Sequence, residues 1–266
     1  AGMSKEEIRY IFGGDLLGQL IATTFGILEF EVPFFGLYGA CSTSGEALAL
    51  SAMSVAAGYG EYMLAVTSSH FGSAEKEFRF PLGYASQRPL SASWTVTGSG
   101  AFLVGRQKSH VRITGVTVGK IVDYGLKDSQ NMGACMAPAA ADTILTNLKD
   151  FGRSPTSYDR IITGDLGYIG QSILLDFMSK NGHQMRDRHL DCGMKIFDQE
   201  KQDTHAGGSG CGCAAVTLSA YILPKIQKGE WKRVLFVPTG ALMSTVSYNE
   251  GASVPGIAHG IVLEHC

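Results

Sequence analysis

The stretch 37–50, LYGACSTSGEALAL, places a cysteine where an apolar, strand-like run gives way to a helix-forming segment. A thiol at a helix N-terminus lies near the positive end of the helix dipole, which favours the thiolate. Cys41 is therefore a candidate nucleophile. A free cysteine in apolar surroundings is more commonly a small buried core residue, so the rest of the sequence has to decide between these two interpretations.

The composition excludes several classes of protein. The chain has 266 residues, of which 45% are hydrophobic and 17% charged, and its net charge is −2. This near-neutral balance predicts no nucleic-acid partner. No apolar run is long enough for a membrane-spanning helix, and the polar first residues are unlike a signal peptide. The six cysteines lack paired C-x-x-C spacing, which predicts that the chain has no zinc site.

Four blocks of the sequence recur in the same order, which is typical of a duplicated architecture. The pairs are 8–19 with 160–171, 39–52 with 207–220, 62–69 with 233–240, and 98–105 with 257–264. The first pair shares Gly-Asp-Leu and aligns Asp15 with Asp165. The second pair shares Leu-Ser-Ala and aligns Cys41 with Ser209. We therefore expect two similar halves, residues 1–110 and 111–266.

Each half is predicted to read strand, helix, strand, glycine elbow, long helix, strand, strand. The two elbow helices, about 43–58 and 209–226, carry small or apolar residues on every face. A helix that is apolar all round is buried, so the two are expected to pack together between two sheets. Because strands alternate with helices, the sheets should be mainly parallel with an antiparallel end strand.

A duplicated α/β body of five α-β-α-β-α layers, with a cysteine at its first elbow, resembles the thiolase fold. Within that superfamily, six motifs resemble the stage V sporulation protein AD family: FGLYGACSTSGEALAL, VTSSHFGSAEKEFRFPLGY, TGSGA, MAPAAADTI, AGGSGCGCAAV and IAHGIVLE. They extend from about residue 8 to residue 264. Members of the family carry a further strand and helix before the position of Ala1, so the N-terminal half is expected to be incomplete.

The resemblance implies a role in the spore-forming machinery. It implies a protein that binds dipicolinic acid and assists its uptake, as the calcium chelate, into the forespore. The protein would be soluble or peripheral on the inner spore membrane, beside other stage V sporulation membrane proteins. It would need no cofactor except calcium arriving with dipicolinate. Superfamily members are mostly dimers joined by the strand before the nucleophile, which here is 32–39, so a homodimer is expected.

The catalytic pattern of the superfamily is incomplete in this sequence. Its enzymes need a base and polar groups that polarise the acyl carbonyl. Asp165 stands where the synthases carry histidine, and Gly208 or Ser209 stands where they carry asparagine. The C-terminal stretch SVPGIAHGIVLE lacks the second cysteine of the thiolases, and Cys266 comes too late. A carboxylate near Cys41 would also raise the thiol pKa. We therefore expect no catalytic residue.

The alternative is an active thiolase- or ketoacyl-synthase-like acyltransferase. In that case Cys41 would be the nucleophile, and His205 or His70 would act as the base. His259 lies in a strand-like run and is expected to be structural.

The ligand implied by the resemblance is a flat aromatic ring with two carboxylates. Such a ligand needs cations or oriented N–H donors and an apolar wall. Segment 68–89 is rich in both; it contains His70, Lys76, Arg79 and Arg88 with Phe71, Phe78, Phe80 and Tyr84 between them. A solvated loop over a hydrophobic patch is the alternative for this segment. Arg79 is expected to contribute most, because its planar guanidinium suits a carboxylate.

Three further groups complete the predicted ligand site. The backbone N–H groups of Ser42 and Thr43 would form an anion site at the helix start. Asp165 would either provide an oxygen ligand to calcium or cap the helix that follows it. The candidate ligand-binding residues are therefore Cys41, Ser42, His70, Lys76, Arg79, Arg88, Asp165 and His205, and no resident metal is expected.

Overall fold

The computed structural model describes residues 2–78, 83 and 87–266. The strands are β1 (Tyr10–Asp15), β2 (Phe34–Gly36), β3 (Tyr62–Ser69), β4 (Trp94–Thr95), β5 (Gly98–Gly105), β6 (Val111–Thr117), β7 (Arg160–Thr163), β8 (His189–Asp191), β9 (Gly208–Ser209), β10 (Arg233–Val237), β11 (Thr239–Ala241), β12 (Gly256–Ala258) and β13 (Gly260–His265). The α-helices are α1 (Ile21–Ile27), α2 (Thr43–Ala56), α3 (Phe71–Phe78), α4 (Met132–Asp150), α5 (Gly167–Lys180), α6 (Cys192–Lys195), α7 (Cys211–Thr217), α8 (Leu223–Gln227) and α9 (Thr245–Asn249).

The strands form two main sheets and two small ones. The first main sheet has the order β2-β1-β3-β5, and the second has the order β6-β13-β10-β7-β8. Both are parallel except for β5 and for β13, which runs antiparallel to both its neighbours. The chain crosses from the first sheet to the second between Gly105, the end of β5, and Val111, the start of β6. β4 pairs with β9, and β11 pairs with β12.

The two main sheets repeat the same order, which confirms the predicted duplication. β1, β2, β3 and β5 correspond to β7, β8, β10 and β13. Within the described residues, the first sheet has no counterpart of β6 or of α4. The packing reflects this difference, because Leu235 and Val262 are fully buried in the cluster that contains α4, whereas Leu103 on β5 is 38% exposed. Among the described residues, the outer face of the first sheet therefore lacks the cover that α4 gives the second.

The elbow helices α2 and α7 pack against each other between the two sheets. Most residues of α2 and all but one of α7 are buried, so the predicted central pair is confirmed. The second helix begins later than predicted because Gly208 and Ser209 form β9. It then continues through a π-helical turn, Leu218–Ile222, into α8. Helices α4 and α5 cover the outer face of the second sheet.

Candidate functional site

Cys41 lies in a 3-10 turn that leads into α2, and it is buried. Ala40 has a φ of 51°, in the left-handed region that few non-glycine residues adopt, so the turn is sharp. The N–H of Ser42 donates to Gly39 O over 3.0 Å, and the N–H of Thr43 donates to Ala40 O. Both amides are therefore used inside the turn. The prediction of an anion site at the helix start is therefore wrong. The Ser42 hydroxyl also donates a hydrogen bond to Gly39 O.

The side chain of Asp165 links three segments behind Cys41. One carboxylate oxygen accepts hydrogen bonds from the Ser209 hydroxyl (3.1 Å) and from Gly210 N–H (2.9 Å). The other accepts from the Thr239 hydroxyl over 2.8 Å. Gly210 has a φ of 104°, and a Cβ there would lie 2.8 Å from Ser69 Oγ, which explains the glycine.

The hydroxyl of Ser209 stands between the thiol and the carboxylate. The Sγ of Cys41 lies 3.8 Å from Ser209 Oγ. A hydroxyl has one proton to donate, and Ser209 donates it to Asp165, so the thiol is the donor in the Cys41–Ser209 contact. Burial and the Asp165 carboxylate raise the pKa of the thiol, whereas the Ser209 contact by itself lowers it.

Burial is the main cause of the pKa shifts at this site. It raises the pKa of the Cys41 thiol well above its usual value, and the negative charge of Asp165 raises it further. Burial also raises the pKa of the Asp165 carboxyl, although its hydrogen bonds oppose that effect. The thiolate that a nucleophile needs is therefore disfavoured at neutral pH. The benefit expected from the helix dipole is outweighed by burial and by the neighbouring carboxylate.

The two aspartates of the repeat have different roles. Asp15 accepts from the N–H and hydroxyl of Thr23, and so holds the first turns of α1. Asp165 does not cap α5. The N–H groups of Leu166 and Gly167 donate instead to Asp191. The helix cap expected of Asp165 is therefore wrong. Both of its oxygens accept hydrogen bonds, and its role as a calcium ligand stays a prediction.

A small cavity lies beside Cys41. Its volume is about 20 Å³, which is room for about one water molecule. The lining residues are Leu16, Ala40, Cys41, Phe78, Ser93, Thr95, Met132, Ser209, Ala241 and Met243. Asp165, behind Ser209 in the hydrogen-bond network, is not among them.

Both histidines proposed as alternative bases are engaged away from Cys41. The Nδ1 of His70 lies 3.4 Å from Ser73 N and from Ser73 Oγ, at the start of α3. The Nδ1 of His205 lies 2.9 Å from Pro89 O, and its Nε2 lies 3.0 Å from Asp203. These contacts do not support either histidine as the base for Cys41.

The structure brings Arg88 and His205 together beside β4, although neither lines the cavity. Segment 88–95 runs beside segment 203–209, where Trp94 pairs with Gly208 and Arg88 donates to Asp203 O over 3.1 Å. Lys76 lies on α3, whose last residue, Phe78, lines the cavity. Arg79, Phe80 and Tyr84 lie outside the described residues.

Trp94 is enclosed between two side chains. The ring of Phe71 stacks on it with centroids 4.4 Å apart, and the guanidinium of Arg88 lies 3.9 Å from its centroid. At these distances the two neighbours occupy opposite faces of the indole. Trp94 therefore fixes the position of Arg88.

Comparison with known proteins agrees with this geometry. The family described as "Stage V sporulation protein AD" matches residues 1–264. Stage V sporulation protein AD of Bacillus subtilis (strain 168) is 41% identical over 262 residues, which is 98% of this chain and 77% of the relative. The chain belongs to the stage V sporulation protein AD family. Membership in this family supports a role in sporulation.

Solved structures show the fold that the family shares with condensing enzymes. The tetronic acid condensing enzyme AbyA1 is 16% identical with a TM-score of 0.65, and the match covers 99% of this chain and 80% of the enzyme. The 3-oxoacyl-[acyl-carrier-protein] synthase III of Aquifex aeolicus VF5 is 12% identical with a TM-score of 0.61, covering 100% and 80%. At these identities the likeness shows the fold alone.

Sequence reasoning missed several residues around the cavity of this family member. Thr239 was not expected to hold Asp165, and Ser93, Thr95, Met132 and Met243 were not expected to line the cavity. The repeat carried a signal for Thr239, because the aligned blocks pair it with Ser68, near the end of β3. Among the described helices, none is long and apolar enough to cross a bilayer.

Proposed function

We propose that this chain is a non-catalytic dipicolinic acid-binding protein of the spore-forming machinery, which assists uptake of the calcium chelate into the forespore. The observation that supports the non-catalytic part most strongly is the burial of Cys41 beside the carboxylate of Asp165. Burial and this negative charge raise the pKa of the thiol, so the thiolate that a nucleophile needs is disfavoured.

The strand region around β4 combines a wall of the cavity with a nearby cation, which is the chemistry that a flat dicarboxylate needs. Ser93 and Thr95 of the strand region around β4 line the cavity. Trp94, between them in sequence, is not in the lining and holds the guanidinium of Arg88 beside that strand. Phe78 supplies an apolar wall. Because the cavity itself has room for about one water, dipicolinate binds at its mouth, or inside after Phe78 has moved away.

Calcium is proposed to arrive with the ligand. Dipicolinate brings its own carboxylate oxygens and ring nitrogen to the ion. Within residues 2–78, 83 and 87–266, no group of three or more His, Cys, Asp or Glu side chains is arranged to hold a metal. The carboxylate oxygens of Asp165 already accept hydrogen bonds, so the ion would depend on the chelator for most of its ligands.

A homodimer joined along β2 is also proposed. β2 is the outer strand of the first sheet, so one side of it is unpaired. Large apolar side chains are exposed around it: Ile21 (56%), Phe25 (70%), Leu28 (65%), Phe30 (41%), Phe35 (51%) and Tyr38 (39%). A second copy pairing along β2 would cover both features.

The decisive test is calorimetric titration of the purified protein with dipicolinate, with and without Ca²⁺. We expect saturable binding by the parent and by Cys41→Ala, since the thiol is not required as a nucleophile. Absence of binding under both conditions would overturn the proposal. The alternative, an acyltransferase that uses Cys41, predicts instead that Cys41 becomes acylated by acetyl-CoA, which mass spectrometry of the intact chain would detect.

A further inference from the structure

One end of the second sheet carries a concentration of exposed basic side chains. β6 and β10 begin at this end and β13 finishes there, because β13 is antiparallel to both. It lies opposite the end that carries Asp165 and Thr239, which follow β7 and β10. We call the following residues the basic end: Arg106, Lys108, His110, Arg112, Lys228, Lys232 and His265, all of which are exposed.

Backbone contacts make the basic end one continuous surface. Cys266 N donates to His110 O over 3.1 Å, and His265 N donates to Lys232 O over 2.9 Å. The turn that contains Lys228 touches the His265 ring, since a Cβ on Gly229 would lie 3.3 Å from its Nε2. Neighbouring strands are about 4.8 Å apart, so the loop 106–110 and Lys232 are separated by only two strand spacings.

The acidic residues near this surface are few, and two of them are already paired. Glu230 lies 2.6 Å from Lys225, and Glu264 lies 2.5 Å from Arg233 and 3.7 Å from Arg153. Two others are Glu61, which precedes β3, and Asp159, whose carboxylate accepts from the N–H groups of Lys232 (2.7 Å) and Arg233 (2.9 Å). The whole chain has a net charge of −2, so the five lysine and arginine side chains of the basic end form a local excess of positive charge.

An exposed tyrosine adjoins the basic end. Tyr59 is 68% exposed in the turn after α2, and the guanidinium of Arg106 crosses to the carbonyls of Val55 and Ala56 at the end of that helix. Met53, in the last turns of the same helix, is 49% exposed. Tyrosine beside basic side chains suits the interface of a bilayer, where one part of the ring is apolar and the hydroxyl is wet.

We propose that the basic end docks on a bilayer that contains anionic lipids. Lysine and arginine would contact lipid phosphates, and Tyr59 would enter the headgroup layer. The exposed tyrosine and methionine favour a bilayer over a nucleic acid, whose backbone offers no apolar layer. In this orientation the cavity beside Cys41 faces away from the membrane.

The test is co-sedimentation of the purified protein with vesicles of phosphatidylcholine alone or with about one third phosphatidylglycerol. We expect binding only to the anionic vesicles and loss of binding in high salt, because salt screens these contacts. Each basic side chain near an anionic surface changes affinity by about fivefold. The double variant Lys108→Gln/Lys232→Gln should therefore bind about 25-fold more weakly, and Tyr59→Ser should bind more weakly than the parent.

A matched control removes the same number of positive charges at the opposite end of the strands. Lys127→Gln/Lys201→Gln should bind anionic vesicles like the parent, because both lysines are exposed away from the basic end. Equal weakening by the two double variants would overturn the proposal, as would equal binding to neutral vesicles or no vesicle binding. Binding of duplex DNA that depends on Lys108 and Lys232, without vesicle binding, would show a polyanion site instead and would also overturn it.

Discussion

The Sγ of Cys41 and the Oγ of Ser209, two residues that align in the internal repeat, lie 3.8 Å apart where the two halves meet. Ser209 in turn donates to Asp165. The thiol is therefore buried beside a carboxylate, and both burial and the negative charge of Asp165 raise the pKa of the thiol. The chain has a fold similar to that of condensing enzymes, while the carboxylate of Asp165 beside the thiol disfavours the thiolate.

The first prediction concerns the reactivity of Cys41. Replacing Asp165 by asparagine removes the nearby negative charge and should lower the thiol pKa, because like charge disfavours the thiolate. Alkylation of Cys41 by iodoacetamide at pH 8 should then be about tenfold faster than in the parent. Peptide mass spectrometry measures this rate. Asp142→Asn, a change at an exposed ion pair with Lys120, is the control. An unchanged rate in a folded Asp165→Asn protein would contradict the assignment.

The second prediction is that the protein lacks thiolase and ketoacyl-synthase turnover. The thiol is held protonated, and His70 and His205 are engaged elsewhere. Incubation with acetyl-CoA and an acyl-carrier substrate should release no more CoA than the Cys41→Ala protein does. Turnover well above that variant would favour the acyltransferase alternative.

The sequence predicted the elements that depend on local pattern. The duplicated order, the buried elbow helices and the closeness of Cys41 to Asp165 followed from Gly-Asp-Leu, Leu-Ser-Ala and the all-round apolar helices. It could not predict which oxygen accepts from which donor. The role of Asp165 depends on Thr239 and Ser209, which lie 74 and 44 residues away in sequence.

The failed anion site has the same kind of cause. The Ser-Thr-Ser sequence after Cys41 is typical of a helix start whose backbone N–H groups can bind an anion. The left-handed Ala40 turns the chain so tightly that Ser42 and Thr43 donate to carbonyls within the turn. Residue type did not reveal that conformation, because alanine rarely adopts it.

The third prediction concerns the oligomer. If β2 joins two copies, the parent should have a mass near twice 28.3 kDa by light scattering after gel filtration. Phe35→Glu should shift it to the monomer, since a charge would then be buried at the joint. Val246→Glu is the control, because Val246 is 65% exposed but lies on α9, away from β2. A monomeric parent, or equal dissociation by both variants, would rule out this interface.

The fourth prediction is a dependence of stability on pH through His189. Burial lowers its pKa from 6.5 to about 3. Its neighbours are Thr163 Oγ1 at 3.0 Å and Gln171 Nε2 at 2.9 Å. The unfolded chain takes up the proton more readily, so the stability from the neutral ring is fully present above about pH 6.5 and is lost as pH falls toward 3.

Between pH 7 and pH 5 this loss is about 2 kcal/mol. Urea unfolding of the parent at the two pH values should show this loss in the free energy of unfolding. The free energy of unfolding of His189→Gln should fall less between pH 7 and pH 5, whatever its value at pH 7. Both proteins keep Asp191, whose pKa burial raises to about 6 and whose contribution has the opposite sign, so that contribution cancels in the comparison. His110→Gln, at an exposed site, should follow the parent. Parallel curves for the parent and His189→Gln would show that His189 does not titrate in this way.

The fifth prediction compares two cations of segment 68–89 as contacts for dipicolinate. Arg79 follows Phe78, which lines the cavity, and its own position lies outside the described residues. Its planar fork can donate two parallel hydrogen bonds to a carboxylate, whereas the ammonium of Lys76 cannot. Truncating one partner of a desolvated charged contact costs about 2–5 kcal/mol, so Arg79→Ala should weaken binding by about thirtyfold or more.

Lys76→Ala is the matched control, because it removes the same charge from the same segment. It should weaken binding less than Arg79→Ala does. Calorimetric titration measures both affinities, and a thermal melt of each variant shows whether it is folded. If folded Arg79→Ala binds like the parent while Lys76→Ala weakens binding, the ligand relies on a point charge on α3 rather than on a planar fork, and the assignment to Arg79 is wrong.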